Sequence, residues 1–336
     1  MLENFSLKKY NTFNIDVYAK YFSEFNSVND LQELLSTNIK QLSTLILGGG
    51  SNILFTKNFD GLVMKNNLTG ITIVKEDDAF VYVRAGAGEN WHRFVLYCLE
   101  NDFSGVENLS LIPGNVGASP MQNIGAFGVE LKDIFYELEA FHLIEKNVVK
   151  FNGDNCKFGY RESVFKKKYK DQFAILNVTF KLNRIPRFNI SYGAIEEELE
   201  KMDVTELSIH AISQAIINIR RSKLPDPEVI GNAGSFFKNP EVTAHELYEL
   251  KRIYPDILSY KINDRTFKIP AGWLIEKCGW KGYRKGDAGC HEKQALVLVN
   301  YGNASGQEIY ALSNEIKTSV KEKFNIVLEG EVNIVK

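Results

Sequence analysis

Three consecutive glycines follow an apolar segment early in the chain. Ser43–Leu47 is largely apolar, Gly48-Gly49-Gly50-Ser51-Asn52 follows it, and Ile53–Phe55 is apolar again. Glycine reaches backbone angles that are closed to other residues, so the pattern predicts a buried strand, a tight loop and a second extended stretch. Taken alone, the loop is either a structural turn or a place where backbone N–H groups hold an anion.

A second segment rich in Gly, Asn, Ser and Pro runs from Leu109 to Gly128. A loop of this length inside a compact domain is usually functional. The Gly-x-Gly runs at 48–50 and 86–88 both lack the third glycine of the dinucleotide GxGxxG pattern, and no G-K-[ST] tripeptide occurs, which excludes a P-loop. The two loops together favour a nucleotide-like cofactor that is bound without a Rossmann motif.

Elsewhere the hydrophobic pattern alternates between helical and extended periods. Helices are predicted at 28–35, 91–99, from 193 onward, and at 207–219, 245–252, 273–278 and 309–324. Strands are predicted at 62–64, 71–74, 80–83, 138–144, 174–182, 295–299 and 325–335. Leu224-Pro225-Asp226-Pro227 ends a helix and begins a linker, which places the last domain boundary there.

Length and charge narrow the class of protein. The 336 residues correspond to about two domains, and the formal net charge of −2 offers no general attraction to nucleic acid or anionic lipid. No apolar run approaches the ~20 residues that a membrane span requires, and Met1–Ser6 does not resemble a signal peptide. The four cysteines are too far apart for a CxxC pair and are expected to be reduced thiols. We therefore expect a cytoplasmic protein without nucleic acid or membrane partners.

Two polar residues beside glycines are candidates for chemistry. Arg161 lies near Gly159, and its planar donor fork would suit a carboxylate or phosphate in a cleft. Ser235 stands between small residues and two phenylalanines, fails the G-x-S-x-G pattern and has no histidine nearby. If this serine acts, the surroundings favour proton donation over acyl transfer; the alternative is a buried glycine turn.

The C-terminal segment offers two carboxylates. Leu328–Val332 is expected to be part of a strand, whose alternation places Glu329 and Glu331 on one face, and their spacing does not decide between them. Cys290 and His291 have no further ligands within range, so no metal site is predicted.

Taken in order, these motifs closely resemble the UDP-N-acetylenolpyruvoylglucosamine reductase (MurB) family, flavoenzymes of peptidoglycan precursor synthesis. The resemblance runs from Asn11-Thr12-Phe13 to Glu331, nearly the entire chain. Its carriers are the motifs at 45–52, 85–91, 112–126, 159–163, 231–240 and 328–332. Tyr192, in Ser191-Tyr192-Gly193, matches the tyrosine of the family's longer, type I form.

The resemblance implies an α+β protein with a split FAD-binding fold of two subdomains, similar to the PCMH/VAO flavoenzymes, and a C-terminal α+β substrate-binding domain. The implied domains are residues 1–68, 69–224 and 225–336, with a C-terminal strand that returns to the active site. In the reaction that the resemblance implies, NADPH would reduce the FAD and be replaced by UDP-N-acetyl-3-O-(1-carboxyvinyl)glucosamine, which would be reduced to UDP-N-acetylmuramate. The expected partners are these small molecules alone, and the expected state is a monomer.

The resemblance also assigns roles to residues. The family's proton donor falls on Ser235, and the groups that activate the substrate carboxylate fall on Arg161 and Glu331. The implied cofactor-binding positions are Gly48, Gly49, Gly50, Ser51, Asn52, Pro113, Gly114, Ser119, Pro120, Asn123, Gly125 and Ala126. The implied substrate-binding positions are Tyr192, Lys223, Asn239 and Gln294.

Two departures and two other hypotheses accompany this interpretation. Gly49 occupies a position that is often acidic in relatives, and Phe127 one that is often tyrosine.

A flavin-dependent oxidase would keep the fold, but such relatives often tether the flavin through His or Cys, and none adjoins the glycine loops. A nucleotide-sugar-binding protein without catalysis is disfavoured because Arg161, Ser235 and Glu331 are all present.

Overall fold

The computed structural model describes residues 1–36 and 42–336, over which helices and strands are interspersed. This mixture is the α+β organisation that the hydrophobic pattern predicts. The α-helices are α1 (Val28–Ser36), α2 (Trp91–Glu100), α3 (Gly153–Cys156), α4 (Gly193–Lys201), α5 (Ile209–Lys223), α6 (Ala244–Ile253), α7 (Ala271–Lys277) and α8 (Gly306–Phe324). None of these helices combines the length and the apolar composition needed to cross a bilayer.

The strands are mostly short and form several separate sheets. They are β1 (Leu2–Ser6), β2 (Tyr18–Phe25), β3 (Ser43–Leu47), β4 (Ile53–Phe55), β5 (Phe59–Asn66), β6 (Ile71–Glu76), β7 (Phe80–Gly86), β8 (Gly125–Ala126), β9 (Val129–Glu130), β10 (Phe135–His142), β11 (Val148–Asn152), β12 (Phe173–Asn183), β13 (Gly231–Ser235), β14 (Glu241–Thr243), β15 (Tyr260–Lys261), β16 (Thr266–Lys268), β17 (Arg284–Lys285), β18 (Ala288–Cys290), β19 (Val297–Asn300) and β20 (Asn333–Val335).

The chain packs into two compact units, each built from separate stretches of sequence. The first comprises Met1–Phe5, Ala19–Gly50 and Asp60–Ser222. The second comprises Ser6–Tyr18, Ser51–Phe59 and Lys223–Lys336. The division into domains 1–68, 69–224 and 225–336 stays a prediction.

The first unit contains two main sheets. One has the strand order β1-β2-β5-β3, in which β3 and β5 run parallel. The other has the order β11-β10-β12-β7-β6 and is antiparallel throughout. Its central strand, β12, is buried at most positions on both faces, because helices and loops cover the sheet.

Helix α2 joins this sheet to the second glycine-rich loop. The Asn90 side chain caps the helix by accepting the backbone N–H of Arg93. The Trp91 ring packs against Phe180 of β12, with ring centroids 5.7 Å apart, and its Nε1 donates to the Leu109 carbonyl at 2.9 Å. Trp91 therefore connects the start of the loop at Leu109 to the buried core on β12.

The second unit is held together by the N-terminal residues and the C-terminal half of the chain. Its sheets have the orders β13-β19-β18-β17 and β14-β16-β15, and β4 pairs in parallel with β20. Asn232 donates its backbone N–H to the Thr12 carbonyl at 2.9 Å, and Asn300 Nδ2 donates to the Phe13 carbonyl at 2.9 Å. Residues 6–18 thus pack with sequence that lies more than two hundred positions away.

One open alternative and one prediction for the second unit are wrong. Gly231–Ser235 is a strand rather than a glycine turn, because β19 supplies backbone partners for it; the register shift between Asn232 and Ser235 marks the irregular position. The strand predicted over 325–335 is confined to Asn333–Val335, since Asn325 adopts a left-handed conformation after α8. Gly330 makes only an isolated bridge, to Phe237.

The remaining predicted helices and strands are confirmed with small shifts of their ends. Strand β10, for example, begins at Phe135 and ends at His142, so that Ile144 lies outside it and is 75% exposed. The cysteines are free thiols, and Cys98, Cys156 and Cys290 are buried.

Candidate functional site

The glycine loop after β3 approaches the second glycine-rich loop within the first unit. A Cβ atom added at Gly49 would lie 2.7 Å from Oδ1 of Asn115 and 2.9 Å from Cα of Gly114. The two loops meet at the level of their backbones, and this approach requires the absence of a side chain at residue 49. The contact gives a physical reason for glycine at residue 49.

Lys65 brings a positive charge to the same loop. The parallel register sets it opposite Leu47 at the end of β5, and its Nζ donates to the Gly48 carbonyl at 2.9 Å. Burial lowers the pKa of Lys65, and the charge of Glu24 only partly opposes the shift. A partly desolvated ammonium group beside glycine backbone favours an anionic ligand at this loop.

Ionisable side chains hold both polar backbone groups of Leu111, where the second loop turns. The Leu111 N–H donates to His92 Nδ1 at 3.0 Å, and Arg220 Nε donates to the Leu111 carbonyl at 3.2 Å. Leu111 has a φ of 58°, a left-handed conformation that costs free energy in a residue with a side chain. The two hydrogen bonds offset that cost.

Burial affects both of these side chains. It lowers the pKa of Arg220 to about 10, so the guanidinium stays charged at neutral pH. Burial, with a smaller contribution from the charges of Arg220 and Arg221, also lowers the pKa of His92. Neutral His92 can accept the N–H of Leu111, as the geometry requires.

Two buried side chains shape the loop between 116 and 126 from inside. Ser119 is 1% exposed, and its Oγ donates to the Val116 carbonyl at 2.7 Å. Asn123 is fully buried, and its Nδ2 donates to Glu130 Oε2 and to the Gly159 carbonyl, both at 3.0 Å. Of the predicted cofactor positions in this region, Pro120 is also buried, whereas Pro113, Gly114, Gly125 and Ala126 reach the surface.

Arg161 lies in a two-residue turn closed by Gly159 and Glu162. These two residues exchange backbone hydrogen bonds of 3.0 and 3.2 Å. Arg161 itself has a φ of 54°, and its Nη2 donates to the Gly125 carbonyl. The left-handed backbone thus aims the guanidinium at the predicted cofactor loop.

The turn is tied to that loop at both ends. Asn123 holds the Gly159 carbonyl on one side, and Ser163 Oγ donates to the Met121 carbonyl at 2.6 Å on the other. The structure therefore places Arg161 directly beside residues 121–125 of the predicted cofactor loop.

Tyr192 precedes helix α4 and is 46% exposed. Its ring meets Phe127 edge to face, with centroids 5.4 Å apart. Phe127, the second departure from the family pattern, therefore packs against the residue predicted to cover the substrate.

Ser235 and Glu331 lie on neighbouring segments of the second unit. Ser235 ends β13 and is half-buried, and the next residue, Phe236, accepts the backbone N–H of Glu331 at 2.8 Å. Asn52, at the end of the first glycine loop, donates from Nδ2 to the Glu331 carbonyl at 3.3 Å. These bonds fix the backbone of residue 331 against the segment that carries the serine.

The structure distinguishes the two C-terminal carboxylates. Glu329 has a 71% exposed side chain and forms an ion pair with Lys238 at 3.3 Å. Glu331 is partly buried, and its backbone is the one held between Phe236 and Asn52. Glu331 is thus the residue whose backbone is fixed next to the segment that carries Ser235.

The predicted substrate-binding residues occupy different settings. Asn239 Oδ1 accepts the backbone N–H of Ala271 at 2.9 Å at the start of α7. Gln294 Oε1 accepts the Leu296 N–H at 3.4 Å and would lie 3.0 Å from a Cβ placed at Gly272. Lys223 is exposed at the C-terminal end of α5. Asn239 and Gln294 thus both lie close to the start of α7.

Arg161 belongs to the first unit, and Ser235 and Glu331 belong to the second. Over residues 1–36 and 42–336, no group of three or more His, Cys, Asp or Glu side chains could hold a metal ion. Lys65, Arg161 and the glycine backbone can bind anions in the first unit. In the second unit, Ser235 supplies a hydroxyl and Glu331 a carboxylate on adjoining segments.

Sequence reasoning missed the residues that support the loops from behind. Lys65, His92 and Arg220 are examples, since each bonds to a loop carbonyl or N–H from another element. The one usable signal was Lys65, a charged residue directly after the apolar run Leu62-Val63-Met64. His92 and Arg220 lie on helices, and nothing in their spacing reveals the shared contact with Leu111.

Two protein-family profiles match the chain. The profile for the C-terminal domain of UDP-N-acetylenolpyruvoylglucosamine reductase matches residues 226–335, and an FAD-binding domain profile matches residues 19–144. Among curated proteins, the UDP-N-acetylenolpyruvoylglucosamine reductase of Flavobacterium johnsoniae is 50% identical over 333 residues, covering 99% of this chain and 98% of the relative. The protein of the same name from Pseudomonas syringae is 47% identical, covering 98% and 97%.

Solved structures agree on the fold. The MurB structure from Thermus caldophilus covers 98% of this chain and 97% of its own, with a TM-score of 0.66 and 22% identity. Substrate-bound p-cresol methylhydroxylase covers 97% of this chain and 84% of its own, with a TM-score of 0.52 and 10% identity. The predicted split FAD-binding fold with an additional C-terminal α+β domain is confirmed.

Proposed function

Since this chain belongs to the UDP-N-acetylenolpyruvoylglucosamine reductase family, we propose that Arg161, Ser235 and Glu331 are the catalytic residues of that family's reaction here. The chain is an NADPH-dependent FAD oxidoreductase of peptidoglycan precursor synthesis. It reduces UDP-N-acetyl-3-O-(1-carboxyvinyl)glucosamine to UDP-N-acetylmuramate. When bound, FAD supplies the hydride chemistry that connects NADPH to the vinyl group.

The residues of the glycine loops fit the cofactor. Gly48–Asn52, together with the surface positions of the 113–126 loop, would hold FAD through backbone N–H groups and small polar side chains. The Lys65 ammonium beside Gly48 suits the negative charge of a pyrophosphate. The buried residues Ser119, Pro120 and Asn123 would contribute by holding the loop's shape.

Arg161 would bind and polarise the substrate carboxylate. An enol ether is a poor hydride acceptor, so the neighbouring carboxylate must draw electron density away from the vinyl group. A guanidinium can form paired hydrogen bonds with that carboxylate and stabilise the negative charge that develops on it. The Arg161 turn is fixed at Gly159 and Ser163, which supports a preorganised position for the guanidinium.

Ser235 would donate the proton. Reduction of the vinyl group leaves a strongly basic carbon beside the carboxylate, and an unactivated hydroxyl is a strong enough acid for such a centre. Ser235 is half-buried beside Phe236 and Phe237, which are 2% and 1% exposed.

Glu331 would assist the carboxylate, by sharing a proton with it or by fixing the group that does. Its backbone bond to Phe236, next to Ser235, is the observation that carries the assignment. We expect Glu331→Gln to slow reoxidation by the substrate and to leave reduction by NADPH unchanged. Glu329→Gln is the matched control, and equal slowing of both half-reactions by Glu331→Gln would contradict the assignment.

Four further residues would bind the nucleotide sugar. Tyr192 would fold over the UDP group, and Lys223, Asn239 and Gln294 would contact the diphosphate and uridine. The exposed ring of Tyr192 and the partly exposed amides of Asn239 and Gln294 are compatible with these roles.

Product analysis tests the proposal. Purified protein, NADPH and the enolpyruvyl UDP-sugar are incubated without oxygen, and the sugar is analysed by mass spectrometry. The account predicts a product heavier by two hydrogen atoms in the wild type and in Glu329→Gln, and almost none in Ser235→Ala. NADPH consumption that depends on oxygen and leaves the sugar unchanged would contradict it and favour an oxidase.

We also propose that the enzyme works as a cytoplasmic monomer. Free thiols at all four cysteines are compatible with a reducing compartment. Sedimentation at several protein concentrations tests the monomer, and a concentration-dependent dimer would contradict it.

A further inference from the structure

We propose that Asn108 is a positioning residue that fixes the segment bearing Tyr192 to the hairpin bearing Phe127, and so prepares the substrate side of the site. The inference rests on the proposed substrate role of Tyr192. It adds a residue that neither the motifs nor the comparisons single out.

Asn108 lies in the 3-10 helix Glu107–Leu109 and is 1% exposed. Its amide nitrogen carries two hydrogens and donates to two carbonyls from different parts of the chain. One bond, of 2.9 Å, goes to Phe127, and the other, of 2.8 Å, goes to Asn189. A single buried side chain thus joins segments that are sixty residues apart in sequence.

The first carbonyl belongs to the turn between β8 and β9. Phe127 adopts a φ of 51° there, an uncommon conformation for an aromatic residue that must be held by its surroundings. The same hairpin begins at Gly125, whose carbonyl accepts the Arg161 guanidinium. Asn108 therefore acts on a hairpin that also contacts the proposed catalytic arginine.

The second carbonyl belongs to the segment ahead of Tyr192. Asn189 Nδ2 donates to the Gly128 carbonyl at 3.2 Å, and Ser191 Oγ donates to Asn189 Oδ1 at 2.9 Å. These contacts place the Tyr192 ring edge to face with Phe127.

Apolar burial holds this segment at one end: Ile190 packs against the hydrophobic core formed by α4 and α5, whereas the residues before Asn189 are largely exposed. Ile185 is 74% exposed and Phe188 is 39% exposed. The hydrogen bonds of Asn189 therefore act together with the packing of Ile190 to position the segment. Loss of the Asn108 donors would leave two inward carbonyls without their amide partner and would free the Tyr192 segment to move.

Asn108→Leu keeps the branched shape of the side chain and removes both donors. We expect the KM for the enolpyruvyl UDP-sugar to rise about tenfold, the usual consequence of leaving a buried polar group unpaired. Reduction of the flavin by NADPH should keep its rate. Asn66→Leu is the matched control, because Asn66 is also buried and bonds a distant carbonyl, Ile175, in the same unit; it should not raise the KM.

A double-mutant cycle with Tyr192→Ala separates positioning from general destabilisation. If Asn108 acts through Tyr192, the KM of the double variant equals that of Tyr192→Ala within about threefold. Either of two results would overturn the inference. One is an unchanged KM in folded Asn108→Leu, and the other is a double variant whose rise in KM equals the product of the rises in Asn108→Leu and Tyr192→Ala. If Asn108→Leu does not fold, Asn108→Ala decides, because it also removes both donors and has a smaller side chain; an unchanged KM in Asn108→Ala would overturn the inference.

The outcomes separate this inference from the proposed function. An unchanged KM in Tyr192→Ala would overturn both the substrate role of Tyr192 and the inference. Failure of the wild type to reduce the sugar would instead contradict the proposed function.

Discussion

At the scale of single residues, His92 shows how the site depends on a neutral acceptor. Its Nδ1 accepts the Leu111 N–H, and protonation would turn this acceptor into a donor that faces another donor. Burial lowers the pKa of His92 below its ordinary value of 6.5. The native state therefore binds fewer protons than the unfolded state as the pH falls through 6.5, and native stability decreases there.

We expect the melting temperature of the wild type to fall more steeply below about pH 6.5 than that of His92→Asn. Asn can accept the Leu111 N–H without titrating, so the variant keeps the hydrogen bond and loses the pH dependence. Thermal melting of both proteins across this pH range is the measurement. If the melting temperatures of the two proteins changed with pH by the same amount, His92 would not be the group responsible.

Gly125 gives a second test at this scale, because a Cβ atom there would lie 3.0 Å from Arg161 Nη1. Gly125→Ala should displace the guanidinium and slow reoxidation by the sugar by about tenfold to a hundredfold. Gly159→Ala is the control in the Arg161 turn, since its nearest neighbour, Glu162 Cβ, would be 3.8 Å away. Stopped-flow rates that fall equally in both variants would contradict the argument.

At the scale of elements, the short strand β20 positions Glu331. Asn333 donates from its backbone N–H and from Nδ2 to the Asn52 carbonyl, at 3.1 and 2.9 Å, as β20 pairs with β4. Asn52 in turn donates to the Glu331 carbonyl. The last residues of the chain therefore act on the proposed carboxylate through Asn52.

Deletion of residues 333–336 should slow reoxidation by the sugar about tenfold or more, since Glu331 loses an indirect support. Reduction by NADPH should change much less. Deletion of Lys336 alone leaves β20 intact and is the control. If the longer deletion left both half-reactions unchanged, β20 would have no positioning role.

The elements also show what local sequence predicts and where it stops. Helices α2 and α8 follow from apolar periodicity, and in the structure the side chains of Asn90 and Ser305 cap them from within a few residues. Strand β13 did not follow, because its small residues carry no strand signal and its partner β19 lies sixty residues later. Local patterns thus predict elements that are stabilised locally, and they miss elements that depend on distant partners.

At the scale of the whole molecule, the same limit applies to the site. The candidate residues could be identified because each lies in a motif that can be recognised in the sequence: Gly48–Asn52, Arg161, Ser235 and Glu331. Their supports were not, since Lys65, His92 and Asn108 act across elements that only the folded chain brings together. Nor does sequence separation reveal that residues 6–18 pack with the C-terminal half.

The proposed role of Ser235 belongs to reoxidation by the sugar and not to reduction by NADPH. The most direct test is an anaerobic visible spectrum of wild type and Ser235→Ala, recorded before NADPH, after NADPH and after the enolpyruvyl UDP-sugar. We predict that NADPH bleaches the flavin band in both proteins, and that the sugar restores it in the wild type and at least about a hundredfold more slowly in Ser235→Ala. Restoration at the wild-type rate in Ser235→Ala, or restoration of the wild type only by oxygen, would contradict the account.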